Sequence, residues 1–287
     1  MTNAVEVRSL KKNYGSFRLD DLSFTVPGGS IVGLIGENGA GKSTTIKCLL
    51  NLIRRDSGEI FLLGRDNLKA ERAVKEDIGV VLDESGFHDS LSAAQVGKIM
   101  AKLYKSWDGA LYGSYLKKFD LPEHQLLKAF SRGMKMKLNI AAALAHRPKL
   151  LILDEATGGL DPVVRDEILD EFLAFISDED HSILISSHIT GDLEKIADYV
   201  IYLHRGKIAV QGNKDDLLAG YGRLVCSKAD LGGIDPGFLV GSRAGQFGCE
   251  ALVQHKAEFR RKYPALTVDP VTLDDIMVFT VKGDGQA

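Results

Sequence analysis

Hydrophobic and polar residues follow distinct patterns in the first part of the chain. Residues 22–26 alternate apolar and polar side chains, which is typical of a strand with one buried face. Residues 31–35 form a continuous apolar run, which predicts a parallel strand buried on both faces. From Lys42 onward, apolar residues recur at helical spacing as far as Ile53. A helix is therefore predicted directly after the buried strand.

The rest of the chain continues this alternation of strands and helices. Apolar segments predict further strands at 59–63, 150–153 and 182–186 and a hairpin at 199–210. The segment from about 85 to 147 is expected to be mostly helical. The alternation indicates an α/β fold around a parallel sheet. From about Gly220 the composition shifts towards scattered glycines and prolines, so we expect a small C-terminal accessory region at 220–287.

The composition of the 287 residues is that of an ordinary globular protein, with 45% hydrophobic and 26% charged residues. It excludes a disordered or collagen-like chain. The 36 Lys and Arg residues against 39 Asp and Glu residues give a net charge of −3. That balance argues against a general nucleic-acid coat protein.

The cysteines and the apolar stretches bear on the cellular compartment. Cys48, Cys226 and Cys249 form no CxxC pair, so we expect no zinc site or disulfide framework, and a reducing cytosol fits best. The longest stretch without Asp, Glu, Lys or Arg, residues 22–36, contains Pro-Gly-Gly and predicts no membrane-spanning helix. The first residues lack a basic start and an apolar run, so no secretory signal is expected. Any membrane passage is expected to belong to another chain.

Residues 36–44 match the phosphate-loop pattern GxxxxGK[ST] in full, between the predicted buried strand and the predicted helix. Its glycines let backbone amides turn towards phosphate oxygens, and the helix that begins near Lys42 adds its positive N-terminal dipole. Lys42 can reach the β- and γ-phosphates, and the Ser43 hydroxyl can bind Mg²⁺. We therefore predict a nucleotide site formed by Gly36, Glu37, Asn38, Gly39, Ala40, Gly41, Lys42, Ser43 and Thr44.

Two acidic residues, Asp154 and Glu155, follow the apolar run 150–153. At the end of a buried strand, Asp154 is suited to holding Mg²⁺ through water and Glu155 to polarising the attacking water. Paired acids at a strand end are also found as plain exposed loop residues, so the pair needs a further element beside it. Residues 130–135 (Phe-Ser-Arg-Gly-Met-Lys) supply it, because they open a predicted helix ahead of this strand.

With these elements in this order, the sequence resembles the ATP-binding-cassette (ABC) ATPases, and within them the nucleotide-binding subunits of drug and peptide exporters. The resemblance covers nearly the whole chain. Ser131 and Gly133 match the signature motif of the family, and residues 159–161, which end at Asp161, match the loop that follows the strand. His188 matches the switch histidine, and Tyr14 falls where the family stacks an aromatic ring on adenine.

The resemblance implies a fold and a mechanism. The implied fold is a P-loop NTPase of the ABC ATPase type at 1–219, with a parallel sheet core, an N-terminal antiparallel β subdomain and a helical subdomain at about 85–147. Two subunits pack head to tail, so that each ATP lies between one phosphate loop and the opposite Ser131 and Gly133. Asp161 belongs to the nucleotide site, and Lys42, Glu155 and His188 carry catalysis.

The same resemblance implies the cofactors and partners, namely ATP with Mg²⁺, an integral membrane permease, and a second ATPase subunit in a homodimer or a heterodimer. The chain is then expected at the cytoplasmic face of the membrane. No nucleic-acid partner is expected. The region 220–287 resembles the C-terminal extension of export subunits, whose role is either dimer stabilisation or regulation.

The sequence departs from the family pattern at two positions near the nucleotide. Asp83 stands where a glutamine is usual, and it either contacts the metal shell or is too short to do so and serves only coupling. Arg132 replaces a glycine of the signature, so it must point away from the nucleotide or clamp a phosphate. Both changes are compatible with one weakened site in a heterodimer, but the intact Glu155 and His188 favour hydrolysis.

Two other functions fit part of the pattern. The first is a soluble ABC ATPase that acts on nucleic acid, ribosomes or cofactor assembly. The single cassette, the acidic balance and the lack of a long coiled-coil insertion argue against it. The second is a nucleotide-binding regulator without turnover, and the intact Glu155 argues against that.

Overall fold

The computed structural model describes residues 2–83, 86–245 and 248–283. An antiparallel sheet near the amino terminus has the strand order β2-β1-β4-β5. Its strands are β1 (Asn3–Asn13), β2 (Arg18–Pro27), β4 (Ser57–Leu62) and β5 (Arg65–Asp66). In the middle of this sheet, Val7 of β1 lies opposite Phe24 of β2 and Ile60 of β4. The strand predicted from the alternation at 22–26 is confirmed within β2.

The central sheet has six strands in the order β10-β9-β3-β8-β7-β6. They are β3 (Ile31–Ile35), β6 (Ile78–Val81), β7 (Leu150–Asp154), β8 (Ser182–Ser187), β9 (Tyr199–His204) and β10 (Lys207–Asn213). The first five run parallel, and β10 returns antiparallel to β9 as the predicted hairpin. Strands β3, β7 and β8 are buried along their whole length, which explains their apolar sequences. The predicted α/β fold around a parallel sheet is confirmed.

Helices connect and cover these strands. They are α1 (Lys42–Leu49), α2 (Glu71–Glu76), α6 (Pro162–Ile176), α7 (Thr190–Ile196) and α8 (Lys214–Gly220). The prediction that the first helix extends to Ile53 is wrong, because α1 ends at Leu49. Asn51 has a left-handed φ of 55°, which asparagine tolerates better than most residues, and this conformation cannot continue a helix.

A helical segment lies between β6 and β7, as predicted. It contains α3 (Ala93–Leu103), α4 (Gly109–Lys118), a 3₁₀ turn (Leu127–Ala129) and α5 (Arg132–Leu144). Ser92, Asp108 and Ser131 each cap one of the three α-helices through a side-chain oxygen that accepts a backbone amide proton. The predicted lower boundary near residue 85 lies outside the described residues.

The central sheet separates two hydrophobic clusters. On one face, Ile152 and Leu184 pack with residues of the antiparallel sheet. On the other face, Leu153 and Ile185 pack with the helical segment and with α6 and α7. Successive residues of a strand point to opposite faces, so neighbouring positions in β7 and β8 serve different clusters. This packing fixes the carboxyl ends of β3, β7 and β8 side by side.

A third sheet is formed by the residues after 220, in the order β12-β13-β11-β14. The elements of this region are β11 (Gly222–Cys226), α9 (Lys228–Gly232), a 3₁₀ turn (Pro236–Phe238), β12 (Leu239–Gly245), β13 (Gly248–Val253), α10 (Lys256–Lys262), β14 (Val268–Asp269) and α11 (Leu273–Gly283). Leu224, Phe238 and Phe259 belong to a separate hydrophobic cluster here. The amide of Leu273 donates to Glu194 of α7 at 2.5 Å and ties α11 to the central body. In the part of the chain that the structure describes, no helix is long and apolar enough to cross a membrane.

Candidate active site

The phosphate loop, residues 36–44, joins the carboxyl end of β3 to the first turn of α1. Gly41 has a φ of 114°, a conformation that residues with a side chain rarely adopt. A Cβ atom at this position would also lie only 2.5 Å from Cδ2 of Leu19. The amide of Gly206, in the turn between β9 and β10, donates to the Ala40 carbonyl at 3.0 Å. Leu19 and the turn between β9 and β10 therefore both contact the loop and support its conformation.

Lys42 is the first residue of α1, and its side chain is only 5% exposed. Its Nζ donates to the Gly36 carbonyl at 2.8 Å and lies 3.1 Å from Oε1 of Glu155. A buried ammonium group needs such partners, because desolvation without them is costly. The two contacts hold the positive charge inside the loop, where phosphate oxygens can reach it.

Asp154, the last residue of β7, is buried and accepts two hydroxyl hydrogen bonds. Its Oδ1 accepts from Oγ of Ser43 at 3.1 Å and from Oγ of Ser186 at 2.6 Å. Ser43 comes from α1 and Ser186 from β8, so three elements converge on one carboxylate oxygen. The contact also brings together Ser43 and Asp154, two of the three residues predicted to bind Mg²⁺.

This donor set fits Mg²⁺ when the ion arrives with a nucleotide. Among the described residues, no group of three or more His, Cys, Asp and Glu side chains is placed to hold a metal. Mg²⁺ in nucleotide sites usually takes one or two protein oxygens and completes its shell with phosphate and water. The Ser43 hydroxyl and the Asp154 carboxylate match that requirement.

Glu155 follows Asp154 and turns the chain out of the strand. Its φ of 53° is unusual for a residue with a side chain, and its amide donates to the Ser186 carbonyl at 3.1 Å. Nδ1 of His188 donates to Oε2 of Glu155 at 2.6 Å. Burial alone raises the pKa of Glu155, but the Lys42 ammonium and the His188 ring outweigh it and hold that pKa below its ordinary value. The carboxylate is therefore ionised at neutral pH.

These groups surround an open cavity of about 580 Å³. Ten of the residues predicted for the site line it, namely Glu37, Asn38, Gly39, Gly41, Lys42, Ser43, Thr44, Asp83, Glu155 and His188. Phe17, Arg132, Gly158 and Gly159 complete the lining. The cavity thus contains the phosphate loop, the proposed water-polarising carboxylate and the histidine beside it.

The other predicted residues lie outside this lining. They are Tyr14, Gly36, Ala40, Ser131, Gly133, Asp154 and Asp161. Gly36 and Asp154 are linked to it through Lys42 and Ser43, with which they form hydrogen bonds. Ala40 is a residue of the loop itself and is buried.

Two aromatic residues share the turn between β1 and β2. The amide of Tyr14 donates to the carbonyl of Phe17 at 2.8 Å. The Tyr14 ring is 51% exposed and packs under the ammonium of Lys12, whereas Phe17 lines the cavity beside the phosphate loop. The turn therefore presents one aromatic ring to solvent and one to the cavity.

The signature residues and Asp161 lie at two neighbouring helix starts. Ser131 caps α5 by accepting the amide of Met134 at 3.2 Å, and Asp161 caps α6 by accepting the amide of Val164 at 3.1 Å. A Cβ atom at Gly133 would contact Val164 at 3.4 Å, so the two N-termini are adjacent. The positive dipole ends of the two helices therefore lie side by side at this surface.

The two departures from the family pattern, Asp83 and Arg132, contact each other. Nη2 of Arg132 donates to Oδ1 of Asp83 at 2.9 Å. The guanidinium of Arg132 lines the cavity while paired to this carboxylate, and both alternatives for it, pointing away from the nucleotide or clamping a phosphate, stay predictions.

Sequence reasoning missed Phe17 and Ser186. Phe17 lies three residues after Tyr14 in the same turn, and the resemblance drew attention only to the tyrosine. Ser186 is fully buried at the end of β8 and joins Asp154 to Glu155. The signal available for it was a Ser-Ser pair directly before His188, since a hydroxyl at a buried strand end requires a polar partner.

Comparisons with known proteins agree with this geometry. Residues 19–158 match the family model described as ABC transporter. The chain is 37% identical over 211 residues to the bacitracin transport ATP-binding protein of Bacillus licheniformis, covering 72% of this chain and 69% of that protein. It is 36% identical over 214 residues to the lantibiotic transport ATP-binding protein of Streptococcus pyogenes, covering 74% and 91%. A solved structure of the ATP-binding subunit of an ABC transporter is 29% identical, covers 76% of this chain and 92% of its own, and matches with a TM-score of 0.68.

The fold and the site define a P-loop ATPase of the ABC type, as the resemblance implied. The chain belongs to the ATP-binding proteins of ABC transporters. It binds ATP and hydrolyses it, and its family uses that reaction to drive transport. Neither a soluble nucleic-acid enzyme nor a regulator without turnover is favoured by these relatives.

Proposed function

We propose that this chain is the ATP-hydrolysing subunit of an ABC exporter and acts as one of two such subunits packed head to tail. One observation carries the proposal. Lys42, Glu155 and His188 line one cavity, whereas Ser131 and Gly133, on either side of the cavity-lining Arg132, lie outside its lining at the start of α5. A second subunit packed head to tail would bring its Ser131 and Gly133 to the nucleotide, which supports the proposal. Loss of the γ-phosphate then removes the shared ligand and opens the dimer.

The residues of the cavity divide the chemistry among them. Lys42 and the loop amides neutralise the phosphate charge, which is the main requirement of phosphoryl transfer. Ser43 and Asp154 would hold Mg²⁺, which would supply further neutralisation of phosphate charge. The ionised Glu155 accepts a hydrogen bond from the attacking water and polarises it. His188, oriented by Glu155, contacts the γ-phosphate.

The partner that crosses the membrane is a separate permease chain, and this subunit sits on its cytoplasmic face. Relatives named for bacitracin and lantibiotic transport support a drug or a peptide as the exported class. Residues 1–219 form the nucleotide-binding domain, with its helical subdomain at about 85–147, and residues 220–287 form an accessory region. The hydrogen bond from Leu273 of α11 to Glu194 of α7 supports a regulatory role for the accessory region, because α7 directly follows His188.

Dimerisation is tested with the variant Glu155→Gln, which blocks hydrolysis and preserves the shape of the site. Analytical ultracentrifugation should give a dimer with Mg-ATP and a monomer with Mg-ADP. The matched control adds Lys42→Ala and should remain a monomer with both. A Glu155→Gln chain that is saturated with ATP, as measured by nucleotide fluorescence, and still monomeric contradicts the head-to-tail model.

The membrane partner is tested by fractionation of the native chain from its own cells. The chain should pellet with membranes, resist moderate salt, and leave in mild detergent together with one integral membrane protein at fixed stoichiometry. A chain that remains in the supernatant, or that follows ribosomes and is released by nuclease, contradicts the transport proposal but leaves the ATPase activity intact.

A further inference from the structure

The contact between Asp83 and Arg132 joins two parts of the molecule at the lining of the cavity. Asp83 follows β6 of the central sheet, and Arg132 is the first residue of α5 in the helical segment. Their side chains are 53% and 57% exposed, and both line the cavity. An ion pair this exposed contributes little free energy, so an anion that binds Arg132 more tightly can replace the Asp83 carboxylate.

The position of Arg132 is unfavourable for the helix that it begins. The positive end of a helix dipole repels a cation, and arginine at this end lowers helix stability. Asp83 offsets that repulsion, because its Oδ1 accepts a hydrogen bond from Nη2 of Arg132 at 2.9 Å. Stability of the helix alone therefore gives no reason for an arginine here.

The loop after β7 makes room for the guanidinium group. Gly159 has a φ of 67°, and a Cβ atom there would lie 2.6 Å from Nη1 of Arg132. The guanidinium thus lies against bare backbone, between Asp83 and Gly159, next to the signature residue Ser131. The guanidinium is half exposed, so it is accessible to an anion other than the Asp83 carboxylate.

We propose that Asp83 holds Arg132 in the single subunit and releases it in the dimer, where Arg132 binds the triphosphate of the ATP held by the partner subunit. The inference rests on the proposed head-to-tail dimer, in which Ser131 and Gly133 face the partner's nucleotide. Arginine suits this role because its planar fork binds phosphate oxygens in pairs. The ion pair at one nucleotide site is thus broken when Arg132 binds the nucleotide at the other site.

The test uses opposite expectations for the two members of the pair, in the Glu155→Gln chain with Mg-ATP. Arg132→Gly should raise the dimer dissociation constant at least about tenfold, because a charged contact to phosphate is lost. Asp83→Asn should lower the dimer dissociation constant, because no ion pair has to break before Arg132 binds phosphate. The expected change is up to about fivefold for each of the two Asp83–Arg132 pairs in the dimer. Arg132→Lys, which retains the charge without the planar fork, should lie between the parent and Arg132→Gly.

Analytical ultracentrifugation gives the dissociation constants, and thermal unfolding shows that each variant is folded. If the ion pair only stabilises the folded subunit, Arg132→Gly and Asp83→Asn should weaken the dimer to the same extent, and that result overturns the proposal. So does an unchanged dimer in Arg132→Gly or, if that variant does not fold, in Arg132→Lys. If the Glu155→Gln parent itself remains monomeric, the dimer model fails first and this inference fails with it.

Discussion

The ammonium group of Lys42 lies 3.1 Å from the carboxylate of Glu155, so the residue that we propose binds phosphate is paired with the residue that we propose polarises water. Both side chains are largely buried, Glu155 with 15% of its surface exposed. Phosphate oxygens must therefore compete with Glu155 for the same positive charge. When phosphate oxygens bind the Lys42 ammonium group, the Glu155 carboxylate becomes free to interact with water.

This competition predicts that Glu155→Gln separates binding from turnover. The turnover number should fall by about 10²–10⁴, the range for loss of a general base. The affinity for ADP, which in our proposal does not support dimerisation, should rise by more than the roughly fivefold value of an exposed ion pair, because the Lys42–Glu155 pair that is lost is largely buried. Steady-state kinetics and fluorescence titration measure the two effects. An unchanged ADP affinity would mean that the pair does not restrain Lys42.

Ser186 should prove to be a positioning residue for the metal site. Ser186→Ala removes the hydroxyl that donates to Asp154 and accepts the amide of Glu155. We expect the free energy of unfolding to fall by about 1–3 kcal/mol, and the Mg²⁺ concentration for half-maximal ATPase activity to rise. Ser187→Ala is the matched control, since Ser187 is equally buried but bonds only within its own loop, to Ile189. A shared loss of stability with unchanged Mg²⁺ dependence in both variants would contradict the role of Ser186.

The two aromatic residues of the β1–β2 turn should have separable roles. We expect Tyr14→Ala to weaken ATP binding by about five- to hundredfold, the value of one base stacked on an aromatic ring, and Tyr14→Phe to preserve it. Inorganic triphosphate, which has no base, should bind Tyr14→Ala normally. Phe17→Ala should weaken triphosphate as well, because Phe17 packs beside Gly41 of the phosphate loop. Reversed effects in a competition titration would assign the stacking role to Phe17.

Most of the central fold and the core of the site follow from local sequence patterns. The loop glycines, Lys42 and Ser43 stand between an apolar strand and a helix, and Asp154 and Glu155 end another apolar strand. Parallel strands bring their carboxyl ends to one edge of the sheet, so these residues meet without further information. The structure brings Ser43 within 3.1 Å of Asp154 in this way.

Contacts between distant segments could not be predicted in the same manner. Asp83 and Arg132 are separated by 49 positions, and each was interpreted alone as a departure from the family pattern. The pairing depends on how the helical segment packs against the sheet, which no local pattern encodes. The end of α1 was missed for a related reason, since the left-handed Asn51 is held by its side-chain amide, which donates to the carbonyl of Asn67 at 2.6 Å.

The stability of the fold should depend on pH through His146, which lies in the interior between the helical segment and β6. Its ring stacks on Tyr104 with centroids 4.0 Å apart, and Nε2 donates to the Ile78 carbonyl at 3.0 Å. Burial lowers the pKa of His146 below the ordinary value of 6.5, because the charged form loses its hydration. The folded chain therefore keeps the ring neutral at a pH where the unfolded chain protonates it.

The unfolded chain then binds more protons than the folded one, so the free energy of unfolding should fall as the pH drops below about 6.5. The contribution of His146 to this slope is at most about 1.4 kcal/mol per pH unit, and it vanishes above that range. Urea unfolding between pH 7.5 and 5.5 should show a smaller slope for His146→Gln than for the native chain. His124→Gln, which removes an exposed imidazole, is the matched control. Equal slopes for the two variants would contradict the burial argument, because only one of the two rings lies in the core.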